Sequence, residues 1–213
     1  SQAKLNFRTS ADSDLMVVFR EFYSPLSKDP GALTSAEVHA NPRQASARNV
    51  QFNAGEEIRQ EEIGMRFRNR FSGGKEFTAT TYLLHRDFQN RQAFFDGGQV
   101  QFDRWVGGLM LQFVNDHILF HRPNRFLMGV DYGIQNDDRQ RFDNNFGRRG
   151  ALNLSQTERV QSVGPFFRNE WNVKDNLDVV VGGRWDWLHY QVKDVFKSDG
   201  NQSDGRTVSQ SSG

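Results

Sequence analysis

Apolar and polar residues alternate along most of this chain. In EIGMRFRNRF, Ile63, Met65, Phe67 and Phe71 fall on one side, and Gly64, Arg66, Arg68 and Arg70 on the other. A strand sends those sets to opposite faces of a sheet, whereas a helix would scatter them round its cylinder. RFLMGVDYGIQND repeats the pattern, with Phe126, Met128, Val130, Tyr132 and Ile134 set against Leu127, Gly129, Asp131, Gly133 and Gln135. Further on, Leu177, Val179, Val181, Gly183, Trp185 and Trp187 share one face, and Asp178, Val180, Gly182, Arg184, Asp186 and Leu188 the other. The alternation predicts eight strands, near 2–9, 15–23, 57–71, 76–88, 99–114, 126–138, 158–172 and 177–193.

The connections between these strands are unequal. Ala11–Asp14, Ser72–Lys75 and Asn172–Asn176 are tight turns rich in Asp, Asn, Ser and Gly. Long loops are expected near 24–56, 139–157 and 194–213, while 89–98 and 115–125 fit neither class cleanly. Short turns on one side and long loops on the other suit strands that cross an outer membrane, with periplasmic turns and extracellular loops. Arg122–Pro123–Asn124 is expected as one of the periplasmic turns. Within the first loop, Thr34 and Glu37 have capping-box spacing and Pro42 stops continuation, which predicts a short helix. In GEEIRQEEI the four-residue spacing of Glu57 and Glu61 also permits a helix; a strand is preferred because the alternation runs on from Ile63.

Composition narrows the solvent question. The chain is 36% hydrophobic and 25% charged with a formal net charge of +1, so nothing marks it as a polyanion binder. Its 19 Phe are the unusual feature, and the absence of Cys removes disulfides, thiolate metal sites and Cys nucleophiles together. The longest purely apolar run, Trp105–Leu111, is far short of the roughly 20 residues a membrane helix needs, so any crossing must use strands. SQAKLNFRTS lacks the features of a secretory signal, and the closing SQSSG resembles the middle of a loop, so a piece of a longer chain is expected. The apolar faces suit hydrocarbon, with Trp185 and Trp187 placed for an interfacial aromatic belt, and the mixed faces suit a wet lumen. Two other architectures could use the same alternation. One is a complete eight-stranded barrel, structural, adhesive or lipase-like; the other is a soluble β-sandwich that binds carbohydrate.

No catalytic constellation stands out. His39, His85, His117, His121 and His189 are scattered, and the helix-like spacing of His117 and His121 has neither an intervening Glu nor a Cys to complete a zinc set. There is no G-x-S-x-G, and GGK at 73–75 is a hairpin turn rather than a phosphate loop. DGNQSDG (199–205) alternates oxygen ligands as a calcium loop does, but Asp204 stands where the loop needs Gly, which favours a solvated loop. Glu56–Glu57 and Glu61–Glu62 are each split between two faces of a strand. No cofactor, no enzymatic role and no nucleic-acid partner is expected, because basic and aromatic residues alternate by face instead of forming one stacking surface. The arginines are more suggestive. Arg86 and Arg91 lie near a loop, and Arg139, Arg141, Arg148 and Arg149 crowd DRQRFDNNFGRRG. They could bind carboxylate or phosphate bidentately, or form ion-pair ladders with neighbouring Asp and Glu. Arg66, Arg68 and Arg70 adjoin the tight turn at 72–75, near the expected periplasmic rim, and are not assigned to ligand capture.

The run SVGPFFRNEWNVKDNLDVVVGGRWDWLHY resembles the barrel strands of TonB-dependent outer-membrane receptors. There a strand ending G-x-[FY]-x-[QR]-[ND]-E-W leads through a short turn to L-x-x-x-x-G-x-R-[YW]-D. The matching residues are Gly164, Phe166, Arg168, Asn169, Glu170, Trp171, Leu177, Gly182, Arg184, Trp185 and Asp186. HRPNRFLMGVD (121–131), GVDYGIQNDDRQRFDN (129–144) and SDGNQSDGRT (198–207) are similar to family segments, and the resemblance covers most of 55–210. It implies an all-β antiparallel meander, with 1–213 a partial barrel domain from a wall of about 22 strands. It further implies the outer membrane of a Gram-negative bacterium, lipid on one face, and uptake of a scarce small molecule, foremost an iron–siderophore complex. The TonB complex would act through a plug domain that this stretch lacks. Arg86, Arg91, Arg139, Arg141, Arg148 and Arg149 then become candidate substrate contacts in the loops or upper lumen.

Overall fold

The computed structural model describes residues 1–196 and 206–212, and its strands form one antiparallel sheet. In chain order the elements are β1 (Gln2–Arg8), β2 (Ser13–Lys28), α1 (Ser35–Ala40), α2 (Ala47–Gln51), β3 (Gly55–Phe71), β4 (Lys75–Arg91), β5 (Gln99–Leu119) and β6 (Arg122–Asn145). They continue with β7 (Arg148–Lys174), β8 (Leu177–Arg184), β9 (Asp186–Asp194) and β10 (Arg206–Ser212). Neighbours in sequence are neighbours in the sheet, except that β8 and β9 both lie along β7. They are in effect one strand broken at Trp185. Gly183 stands opposite Phe167 and Trp187 opposite Val163, so the register does not slip across the gap. Pro165 lies between those partners and has no N–H to give the ladder; its carbonyl accepts the Trp185 N–H at 3.1 Å. The strand expected at 177–193 is therefore interrupted, and ten strands replace the eight expected.

Register turns the alternation into two faces. Val17, Met65, Thr81, Leu109, Tyr132, Val163 and Trp187 stand side by side across seven strands, with Leu15, Phe67, Ala79, Leu111, Val130 and Pro165 in the adjoining same-face row. The opposite face carries Asp14, Arg68, Thr78, Gln112, Gly129, Phe166 and Arg184 in one row. Nothing among the described residues covers the apolar rows. Among the described residues the buried hydrophobics are Phe52, Ala54 and Val114, while Met65, Leu109, Tyr132 and Trp187 are each 40–42% exposed. The described strands form a single layer whose end strands, β1 and β10, are not paired with each other. That overturns both the sandwich, which needs a second sheet, and the closed eight-stranded barrel, which has no edges.

The strands outrun their expected ends. The stretch 139–157 is no loop: β6 continues to Asn145, β7 starts at Arg148, and Phe146 (φ 50°) and Gly147 (φ 87°) make the turn. β5 and β6 likewise meet at Phe120 and His121 (φ 50° and 64°), the two successive positive angles of a type I′ hairpin. Arg122, Pro123 and Asn124, expected in a turn, open β6. Of 24–56, β2 takes residues up to Lys28 and β3 begins at Gly55, with two helices between. The Thr34–Glu37 capping box holds α1 as the spacing predicts, whereas α2 has no such signal. The calcium-like stretch 199–205 lies outside the described residues.

One end of the sheet carries a small core of its own. The rings of Phe52, Phe95 and Phe146 meet with centroids 4.8–5.1 Å apart. At their centre Asn144 is fully buried. Its amide donates to the carbonyls of Phe52 (3.0 Å) and Gln92 (2.8 Å), and its Oδ1 accepts from the Gly147 N–H (2.8 Å) and the Gln99 amide (3.2 Å). This knot joins the β2–β3 connection, the β4–β5 connection and the β6–β7 hairpin. Gly98 is required there, since a Cβ would stand 1.9 Å from the Phe94 carbonyl oxygen.

Candidate functional site

Below the knot, on the polar face, parity brings five hydrophilic side chains into one row: Gln60, Arg86, Arg104, Asp137 and Glu158. Arg86 donates from Nε to Gln60 Oε1 at 2.8 Å, and its Nη2 donates to the same oxygen. Arg104 forks onto Asp137, with Nε–Oδ1 2.8 Å and Nη2–Oδ2 2.5 Å, and Gln135 adds a third donor to Oδ2 at 3.1 Å. Asp137 is only 2% exposed, and those three donors are what let a carboxylate sit there. Glu158 accepts from Arg139 Nη1 at 3.3 Å and from the Gln156 amide.

The next row supplies aromatic surface. Phe88 and Phe102 stack with centroids 4.8 Å apart, and the Arg104 guanidinium lies 4.6 Å above Phe102. Arg141 follows Arg139 by two positions on β6 and shares its face. The patch thus holds Arg86, Arg104, Arg139 and Arg141 against Asp137 and Glu158, and Arg86 is matched to an amide rather than a carboxylate. Asn90 Oδ1 and the Nε atoms of Arg139 and Arg141 are shielded from solvent without a hydrogen-bond partner. A face with surplus guanidinium suits an anionic guest bearing several oxygens.

Of the arginines singled out in the sequence, the structure gathers Arg86, Arg139 and Arg141 on this face. It separates the others. Arg91 has the opposite parity to Arg86 and donates to Glu57 (2.9 Å) and to the Asn53 carbonyl (3.2 Å). Arg149 reaches Gln101 at 2.6 Å and stacks 4.5 Å over Phe142, on the side of the apolar rows. Arg148 opens β7 at the hairpin tip. Gln60, Arg104, Asp137 and Glu158 were missed by sequence reasoning, although counting by twos from Arg86 and Arg139 along the paired strands reaches their row. Among the described residues no group of three or more His, Asp or Glu side chains could hold a metal ion.

Further down the same face, ladders do what the other reading of the arginines anticipates. Arg68 bonds Asp14 at 2.8 Å and Arg20 meets Glu62 at 3.5 Å. Arg184 bridges Asp131 (2.6 Å) and Asp186 (2.8 Å), and a Cβ on Gly164 would fall within 2.4 Å of both Arg184 and Asp186 atoms. Gly164, Arg184 and Asp186 of the family-like motif are therefore one steric and electrostatic unit.

Comparison with known proteins agrees with the fold. The family described as "TonB dependent receptor-like, beta-barrel" matches residues 6–212. The fold is similar to a ferric citrate transporter in its unliganded form (TM-score 0.84, 11% identity, 99% of this chain and 31% of that one). It is also similar to the alcaligin outer-membrane receptor of Bordetella pertussis (0.72, 11%, 99% and 30%). A third likeness is the ferripyoverdine receptor of Pseudomonas aeruginosa (0.66, 11%, 98% and 32%). The chain spans about a third of the length of these structures. An unclosed single layer with one greasy and one polar face is a stretch of barrel wall, and the chain belongs to the TonB-dependent receptor-like β-barrel family.

Proposed function

We propose that the polar face lines the interior of an outer-membrane receptor in a Gram-negative bacterium, and that its upper part helps capture a scarce anionic small molecule for import. An iron–siderophore chelate is the foremost candidate. The apolar face meets membrane lipid, and the TonB complex energises uptake through a plug domain. The observation that carries this reading is the row Gln60–Arg86–Arg104–Asp137–Glu158 with Arg139 and Arg141 beside it, where arginines outnumber carboxylates. Arg86 can exchange the Gln60 oxygen for a ligand carboxylate or hydroxamate without stranding a buried anion. The similar structures, a ferric citrate transporter and receptors for alcaligin and ferripyoverdine, support an iron chelate as cargo.

The test is binding of a panel of ferric chelates to the full-length receptor, paired with labelled-iron uptake by iron-starved cells. Losing one charged hydrogen-bonding partner removes about 1.5–3 kcal/mol, so Arg86→Ala and Arg139→Ala should each raise the Kd of the cognate chelate by roughly ten-fold or more. Arg91→Ala, on the other face, should leave it unchanged. A receptor that binds no ferric chelate, or whose affinity ignores both polar-face variants, would sink the proposal.

A further inference from the structure

The apolar face is not smooth. Across β4 to β8 it carries a groove of about 910 Å³, lined by large rings such as Phe77, Phe113 and Trp185 and by the small residues Val130, Pro165 and Gly183. Val130 and Pro165 are direct cross-strand partners, and Gly183 faces Phe167. The groove persists because these positions are small: a Cβ on Gly183 would already press to 3.0 Å from the Phe167 ring.

The two edges of this face differ in charge. Toward the short turns, the row at the groove's end, where Phe126 still lines it, reads Lys75, Asn115, Phe126, Asn169 and contains no carboxylate. At the opposite edge the row reads Arg59, Asp87, Asp103, Asp138. Lys75 is exposed and precedes Phe77 by two residues on the same face, about 7 Å along the strand. An apolar groove with an ammonium beyond one end and carboxylates beyond the other is complementary to an acyl chain carrying an anionic headgroup.

We infer that this groove holds an acyl chain of a phospholipid from the leaflet nearer the short turns, its anionic headgroup drawn to Lys75. The inference rests on the apolar face being the lipid-facing one. A chain so held would differ from the surrounding bilayer in its preference for anionic headgroups and in its contact with Trp185.

Brominated acyl chains quench tryptophan on contact, which gives the test. The full-length receptor is reconstituted in phosphatidylcholine bilayers with a minor fraction of brominated phosphatidylglycerol, and Trp185 is read as the difference between wild type and Trp185→Phe. Quenching should exceed the mole-fraction expectation several-fold with brominated phosphatidylglycerol, and match it with brominated phosphatidylcholine. Lys75→Gln should remove the excess, and so should Gly183→Leu by filling the slot. Quenching in proportion to mole fraction with both lipids overturns the inference but leaves the lipid-facing wall intact. An excess that survives Lys75→Gln overturns the assigned headgroup contact. If Trp185 escapes both lipids and the receptor runs as a dimer, a second copy covers the groove; if it escapes both as a monomer, the inference and the wall reading fall together.

Discussion

Tyr132 and Phe52 are both aromatic, yet the first keeps 42% of its surface and the second 4%. Tyr132 sits mid-strand in β6 with its ring on the apolar face; Phe52 caps the end of α2. The usual relation between strand core and loop surface is inverted. The wall satisfies its backbone internally, strand to strand, which is what a segment in hydrocarbon must do, and leaves side-chain burial to a solvent outside the chain. The knot of Phe52, Phe95, Phe146 and Asn144 instead carries its own packed rings and a fully satisfied amide. If the apolar face meets lipid, as proposed, stability of the wall is a joint property of chain and membrane, whereas the knot's belongs to the chain. The knot ties three connections together at the end of the sheet that lies beyond Arg86 and Arg139.

The sharpest way to break this contrast is to hollow out the knot. Phe52→Ala removes a buried ring and should cost about 3–5 kcal/mol, felt locally. The expected outcome is rapid protease cutting within 29–54 and 92–98 while the wall still assembles in the membrane. Loss of assembly as well would show that wall and knot are one cooperative unit. A slightly smaller effect is expected from the other side. Val130→Arg places a cation on the apolar face, where it costs roughly 2–4 kcal/mol toward the bilayer midplane. Gln135→Arg, on the polar face beside Asp137, should change the folded fraction in urea titrations of the vesicle-bound receptor far less. Equal damage at the two positions would deny that the faces see different solvents.

Much of the wall was legible because period two is a local signal. Ile63, Met65 and Phe67 were separated from Arg66 and Arg68 by parity alone, and the register bears that out. The strand ends were not legible, for a physical reason. Past the apolar rows, stretches such as Asn136–Gln140 and Ser155–Glu158 are polar on both faces, so the hydrophobic pattern fades while the main-chain ladder continues. The knot left no trace either: Asn144 bonds the carbonyl of a residue 92 positions away, and nothing local distinguishes it from Asn145. The six chosen arginines were grouped by nearness in sequence, and the same parity that sorted the hydrophobics would have parted Arg91 from Arg86.

The smallest expected effect concerns α1, which belongs to neither region. It has no buried residue, so its caps carry it. The Glu37 N–H donates to Thr34 Oγ1 at 3.3 Å, while Glu37 Oε2 accepts the Thr34 N–H at 2.7 Å and the Thr34 hydroxyl at 2.8 Å. Those bonds, the backbone one foremost, hold the Glu37 carboxyl below its ordinary range. Because the folded value is the lower one, the cap contributes fully above the ordinary carboxylate pKa and is lost as pH falls through the lowered value. Thr34→Ala should weaken the helix by roughly 1 kcal/mol at neutral pH. Amide exchange, corrected for intrinsic rates, should show protection at Val38 and Asn41 falling on acidification in the wild type, and low and flat in the variant. The amide of Asn144, in the knot, should ignore both changes. Were it to lose protection in step with Val38, the loop region would melt as a whole, and the division between self-sufficient knot and lipid-dependent wall would have to be redrawn to include α1.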